Sequence, residues 1–474
     1  MGIILKQLGV QGRNPGSSAG SKWLADHGAT IESLNPANNA LIASVGLTTP
    51  EDYADILQAA QEAQSRWALV PISTRVEMVR HIGSQLREKS DYLSTLISLE
   101  TGKSKVAGDS EVQAMIAMAD CAIGQAHMQS GTGIYSEQGV CRYAEQWRPL
   151  GICGIVTAFD SAAAVWAKQA LLAVICGNVV VWKPSKKAPL VAVAIQHICQ
   201  AVMERMQIDG IFSLINSDDD AFIEDMVNDP RMALIAFTGS TELGNRVRGK
   251  VSSRLGRVML PVVGYHTLII DPSADTNMVI AAVAETCTMG KQLMVHEHLI
   301  DSIIARLQHA YSQVRIGDPL EVTNQMGPLI DAESVQRFTD LMERIQSIGG
   351  KVLYGGSVLE QSGNFVQPTL VRVEPSWALL QQSHGLPIVF IMSYQDLDKA
   401  IAHNNAQQSG ISSSLFATDI RVITHFLSAQ GSNSEVLNIN TIASEGMNTE
   451  AWKAYMQRQT VMISDARGST IAQK

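Results

Sequence analysis

Two rhythms divide the chain. Thr49 is followed by Pro50, Glu51 and Asp52, a helix start, and apolar positions then recur at helical spacing through Tyr53–Trp67. Ser73–Leu93 repeats the pattern, so the first part reads as helical. From Ile152 the rhythm changes to short apolar, β-rich runs, ICGIVTAF, NVVVWK, IFSLIN and ALIAFTG, separated by helical segments near 161–175, 189–206 and 219–228. That alternation predicts a parallel sheet covered on both faces. A second α/β pattern begins near Val258, with LPVVGYHTLIID, a helix near 276–286, LMVHEHL, and helices near 296–313 and 332–348. The polar segments SEQGVCRYAEQWRP, near 136–149, and AYMQRQTVMISDARG predict exposed strands, which invite pairing between subunits.

On an open parallel sheet, ligands bind outside the carboxyl ends of the strands, which here are Phe159–Asp160, Lys183–Ser185, Asn216–Asp220 and Phe237–Ser240. FTGSTELG, spanning Phe237, Gly239, Ser240 and Gly244, closes an apolar strand and opens a helix, where backbone N–H groups can hold a pyrophosphate. Its spacing is neither GxGxxG nor a Walker A loop, since Asn245 and Arg246 stand where the latter needs Lys and Ser/Thr. A glycine-containing helix start is the plain alternative on spacing alone. WKPS adds a cation, Lys183, and a hydroxyl, Ser185, at a second strand end.

Composition narrows the partners. At 474 residues two or three domains are expected, and 46% hydrophobic residues suit a globular protein. A net charge of −9 without a dense basic run leaves no footprint for nucleic acid or an anionic membrane, so a small molecule or self-association is the expected partner. The longest apolar stretch, Ala170–Trp182, is interrupted by Gly177 and Asn178 and is too short to span a bilayer. The opening MGIILKQLGVQGRNPG carries no secretory pattern, and Lys6 stands where myristoylation wants Ser or Thr. Six cysteines, at 121, 141, 153, 176, 199 and 287, show no CxxC spacing, so neither a metal site nor a disulfide framework is expected and a cytoplasmic location fits.

Eight motifs occur in order: EQWRPLG (145–151), CGNVVVWKPS (176–185), AFTGSTELG (236–244), CTMGKQLMVHE (287–297), GPLID (327–331), GGKVLYGG (349–356), GNFVQPTLV (363–371) and AWKAYMQRQT (451–460). On these the chain resembles the aldehyde dehydrogenase superfamily over nearly its whole length, nearest the antiquitin (α-aminoadipic semialdehyde dehydrogenase) branch. The resemblance implies an α/β, aldehyde dehydrogenase-like fold. A Rossmann-like cofactor domain would cover 1–130 and 150–256, and an α/β catalytic-type domain 257–440. A small β oligomerisation element would be built from 131–149 and 450–474, implying a homodimer or tetramer. The family chemistry is thiolate attack on an aldehyde, an asparagine and a backbone N–H holding the oxyanion, hydride loss to NAD(P), and a glutamate activating water.

Several of those roles are altered. Cys287 aligns with the nucleophile, but the segment from Asp275 to Cys287 is shorter than the family pattern, and an isolated cysteine is more often an inert buried thiol. The oxyanion asparagine aligns with Asp160, whose ionised carboxylate offers no donor; losing one such donor costs ~10²–10³ in rate. The general-base glutamate aligns with Pro261, which moves no proton, and the glycine pair after it is reduced to Gly264. His266 lies nearby as a replacement base, although a histidine beside an apolar strand is more often structural.

Lys183, Ser185 and Ser240 remain as cofactor contacts, with Phe237, Gly239 and Gly244 forming the loop. The acidic residue that contacts the adenosine ribose has become Lys186, which admits NADP beside NAD; Ser217–Asp220 replaces a glycine-rich loop with charges that disfavour phosphate. Ser383 stands at the glutamate that grips the nicotinamide ribose, and the run NINTIASEGMNTEAWKAY lacks the long glycine-rich loop of the substrate mouth. Ordinary NAD(P)-dependent aldehyde oxidation is therefore expected to be lost, leaving a pseudoenzyme or a repurposed homologue. The alternatives are non-redox covalent catalysis through Cys287, with Asp160 as acid or base, and weak oxidation of an amino-acid semialdehyde.

Overall fold

The computed structural model describes residues 1–129, 133–135, 141–218, 221–260, 266–288, 290–381, 384–407, 412–442 and 450–464. Pro261, Gly264, Asp219, Asp220 and Ser383 lie outside the described residues, as does most of the segment replacing the family's mouth loop.

The first large sheet is built around the runs read from the sequence. Arg257–Met259, Met232–Phe237, Ile152–Val156, Val179–Lys183 and Phe212–Ile215 lie side by side and parallel. Two short N-terminal strands, Ser17–Ala19 and Lys22–Trp23, then extend it in antiparallel fashion. Every residue of Ile152–Val156, Val179–Lys183 and Phe212–Ile215 is buried, as expected where helices cover both faces. The crossover helices are Ala162–Ile175, Pro189–Met206, Ala221–Asn228 and Thr241–Ser253.

The helix starting at Pro50 has the capping box that its sequence implied: the Thr49 hydroxyl accepts from the Asp52 amide, and the Asp52 carboxylate accepts from the Thr49 amide. The single helix expected over Ser73–Leu93 is instead two. Lys89 sits at φ −99°, ψ 10° between Ile72–Glu88 and Ser90–Thr101, where the chain changes direction. The first fifty residues are not mainly helical, since Arg13–Asn14, Leu41–Gly46 and Thr30–Leu34 form a small sheet of their own.

The second large sheet runs in the order Lys351–Tyr354, Thr369–Arg372, Ile388–Tyr394, Lys291–His296, His266–Ile270, Ser412–Phe416 and Val436–Ile439, parallel except at the first pair. Side-chain alternation splits it between two cores. Ile269, Met294 and Leu415 face one, with Phe338, Leu341 and Ile345 of the Ala332–Ser347 helix. Leu268, Ile270, Leu293, Val295 and Phe416 face the other, with Val279, Val283 and the Ile300–Ser312 helix.

The two polar segments expected to be strands pair with one another. Cys141–Pro149 runs antiparallel to Met456–Ser464, in register from Pro149 opposite Met456 to Cys141 opposite Ser464, with Gly133–Tyr135 on its other side.

Candidate active site

The expected phosphate loop lies at the end of Met232–Phe237. The Phe237 ring is buried beneath it, and a Cβ added at Gly239 would come within 2.7 Å of that ring, so glycine lets the loop close over the aromatic. At Gly244 the same construction gives only ordinary contact, 3.7 Å. Ser240 caps the following helix, its hydroxyl accepting from the Leu243 amide at 3.3 Å.

The other crossover helices on this crevice begin differently. Neither Ala162–Ile175 nor Pro189–Met206 has a side-chain cap from its own N-cap residue. Each is capped by a buried carboxylate from the helical layer. Glu111 accepts from the amides of Ala163 at 3.0 Å and Ala164 at 3.4 Å. Glu100 accepts from Leu190 and Val191, both at 2.8 Å, and from the Ser33 hydroxyl at 2.7 Å. Burial pushes the Glu100 carboxyl up to about 7 while those three donors act in the opposite direction.

Asp160 occupies the turn between Ile152–Val156 and its crossover helix, and its side chain is exposed. Its carbonyl accepts from the Lys103 ammonium, which also pairs with Glu111 at 2.7 Å. Glu111 thus joins Lys103, the Asp160 turn and the helix start into one unit.

Lys183 is buried at its strand end, with Nζ 3.4 Å from the Pro184 carbonyl. Ser185 accepts from the Lys187 amide at 3.3 Å, and exposed Lys186 donates to the Asp218 carbonyl at 2.9 Å. Lys187 reaches across to Asp331 at 2.7 Å and Glu333 at 3.1 Å, while sitting over the Phe159 ring at 5.6 Å. Asp331 caps the Ala332–Ser347 helix, so this lysine ties the first sheet's loops to the second half. The Gly239–Ser240 loop closes a strand and opens a helix, which is where the sequence places a pyrophosphate. The ribose side is changed, with a lysine held by a backbone carbonyl at position 186.

Cys287 follows the Thr276–Glu285 helix directly after its C-cap, Thr286. Val279, Val283 and Cys287 recur every four residues, and all three are buried in one apolar cluster, the cysteine only 1% exposed. Burial pushes its thiol up, and the nearby Lys291 pulls it back. Lys291, the first residue of its strand and only 2% exposed, donates to the Thr286 carbonyl. Burial drives its amine down to about 7. His266 stands beside it in register on the adjacent strand, 2.7 Å from the Ser414 hydroxyl, and burial, followed by the Lys291 charge, lowers it to about 4. A histidine so placed is a poor base, and the hydrogen bond to Ser414 accounts for it structurally.

Sequence reading did not single out Lys103, Glu111, Glu100, Lys187 or Lys291. A signal for the glutamates was present: each sits in an otherwise apolar helical stretch, LISLETG and EVQAMIAMA, where a carboxylate needs a buried partner.

Residues 23–452 match the family model described as the aldehyde dehydrogenase family. The chain is 35% identical over 496 aligned residues to aldehyde dehydrogenase family 7 member A1 of Pisum sativum, covering 99% of this chain and 97% of that protein. It is 34% identical to the α-aminoadipic semialdehyde dehydrogenase of Bos taurus, covering 99% and 92%. Among solved structures, an NAD-dependent aldehyde dehydrogenase from Sinorhizobium meliloti superposes with a TM-score of 0.92 at 19% identity, covering 98% of each chain.

Proposed function

The chain belongs to the aldehyde dehydrogenase family, and from that premise we propose that it has lost ordinary NAD(P)-dependent aldehyde oxidation and acts as a repurposed or non-catalytic member. The observation that carries this reading is the state of Cys287. The thiol is packed among Leu268, Val279, Val283 and Leu293 with its ionisation disfavoured, whereas the family's nucleophile acts as a thiolate. Asp160 supports it, since a solvent-exposed carboxylate at the oxyanion position adds negative charge where it is least wanted.

Reduced grip on NAD or NADP accompanies the loss, because the acidic run Ser217–Asp220 replaces the glycine-rich loop and Ser383 stands at the glutamate that grips the nicotinamide ribose. Calorimetric titration tests this directly: neither dinucleotide is expected to bind more tightly than about 1 mM. Reduced-nicotinamide formation from small semialdehydes that vanishes in Cys287→Ala would overturn the proposal and leave a surviving dehydrogenase.

The pairing of Cys287 with Lys291 favours a second reading, non-redox covalent chemistry, because the ammonium opposes the effect of burial on the thiol. Selective alkylation of Cys287, with protection by a carbonyl ligand, supports that reading. We also propose self-association through the Cys141–Pro149 and Met456–Ser464 sheet. Met462 and Ile463 are exposed on its outer strand, and the open edge offers unpaired backbone groups. Cys121, Cys153, Cys176, Cys199 and Cys287 are free thiols, which suits a reducing cytoplasm.

A further inference from the structure

One face of the second sheet is apolar along most of its length and polar at its head. Leu268, Ile270, Leu293, Val295 and Phe416 fill the apolar part. The strands begin on that face with His266 and Lys291, which are register partners, and Ser414 of the neighbouring strand closes on the imidazole. Cys287 comes down onto the same face from the end of its helix, and Thr286 holds the Lys291 amine through its carbonyl. From the Ile300–Ser312 helix Tyr311 brings a buried hydroxyl that has no hydrogen-bond partner among the described residues, near enough to Cys287 that a thiolate there would raise the phenol further.

Two of these groups, Lys291 and Tyr311, cost the core more than apolar residues would. A lysine on an apolar sheet face is costly to keep charged even where a backbone carbonyl receives it. Tyr311 leaves a hydroxyl unsatisfied where phenylalanine would pack without penalty. The arrangement is a buried cluster of reactive groups: the Lys291 amine acts on the Cys287 thiol, and the Tyr311 phenol lies within electrostatic reach of that thiol.

We propose that Lys291 is a carbonyl-binding nucleophile whose amine, framed by Cys287, Tyr311 and His266, condenses with a small aldehyde to form an imine. The proposal deepens the non-oxidative reading above and takes its substrate class from it. In the addition step the Nζ lone pair forms a C–N bond, the carbonyl π pair moves to oxygen, and that oxygen takes a proton, giving a carbinolamine. The carbinolamine then loses its hydroxyl as water, with the remaining N–H proton leaving as the C=N bond forms. One aldehyde and one amine give one imine and one water, with no change of oxidation state and no cofactor. Tyr311 and Cys287, both held protonated at neutral pH by burial, are the proton donors the proposal assigns to the departing oxygen. A lowered amine pKa assists, since about half of such a group is the free base at pH 7 compared with roughly one part in a thousand or less of an ordinary lysine.

The test uses the full chain, propanal at low stoichiometry and cyanoborohydride at pH 7, with occupancy of each lysine read by peptide mass mapping. Lys291 is expected to be propylated roughly tenfold or more above exposed lysines such as Lys6 and Lys22, and prior carbonyl binding should slow alkylation of Cys287. Occupancy at Lys291 equal to or below that of the exposed lysines overturns the proposal without recourse to any variant. Lys291→Met, checked for fold by circular dichroism, should remove the enriched adduct alone. Nicotinamide reduction in the same samples reads separately on the loss of oxidation: its appearance would sink that reading while leaving the Lys291 adduct to stand or fall by its own occupancy.

Discussion

His266 shows how one side chain converts burial into a measurable pH dependence. Its folded pKa of about 4 lies below its ordinary 6.5, so between those values the unfolded chain binds the extra proton. Stability must then rise with pH across that window and be independent of this group above it. In His266→Asn, which keeps a partner for Ser414, urea unfolding between pH 5 and 6.5 is expected to lose this part of the slope. An unchanged slope would mean the imidazole stays protonated in the native state. Leu255 offers a contrasting case. It sits at φ +57° after the Thr241–Ser253 helix, in a conformation that glycine adopts without cost, and is 95% exposed. Leu255→Gly should therefore stabilise the chain by about 0.5–1 kcal/mol in urea melts, since the side chain gives up almost no packing in this chain.

Among elements, the two crossover helices depend on carboxylates that come from elsewhere in the chain. Glu100→Gln keeps one acceptor but turns an amide N–H₂ toward a backbone N–H, and should cost ~1–3 kcal/mol. Glu111→Ala removes the cap and leaves Lys103 without its carboxylate, for a loss of ~2–4 kcal/mol; denaturation midpoints at constant m-value measure both. Such dependencies mark the limit of what the sequence revealed. The crossover helices and the FTGSTELG loop were legible because apolar period, strand length and glycine placement are local properties. Glu100 and Glu111 serve partners far along the chain, a relation that periodicity does not encode. The split at Lys89 was hidden because apolar spacing continues across it while the backbone turns. The inward aim of Cys287 was half legible. Motif alignment placed it at the nucleophile position, but its phase with Val279 and Val283, readable in the sequence, was what turned it into the core.

For the whole molecule, the decisive relation is between the two sheets and the small one that joins distant ends. If Met456–Ser464 forms a subunit contact, Met462→Glu with Ile463→Lys should shift sedimentation from the oligomer to the monomer with little change in helical content; an unaltered profile would place the contact elsewhere. The pairing of Cys141 with Ser464 closes most of the chain into a single loop. Synthesis from the N-terminus produces the Cys141–Pro149 strand long before its partner, and contacts this distant in sequence form slowly. Until Met456–Ser464 emerges, that strand carries a bare edge able to template unwanted pairing. A chain truncated before Met456 would thus keep its two main sheets yet leave that edge open to aggregation or degradation, so this late pairing is the step that hides a strand made much earlier.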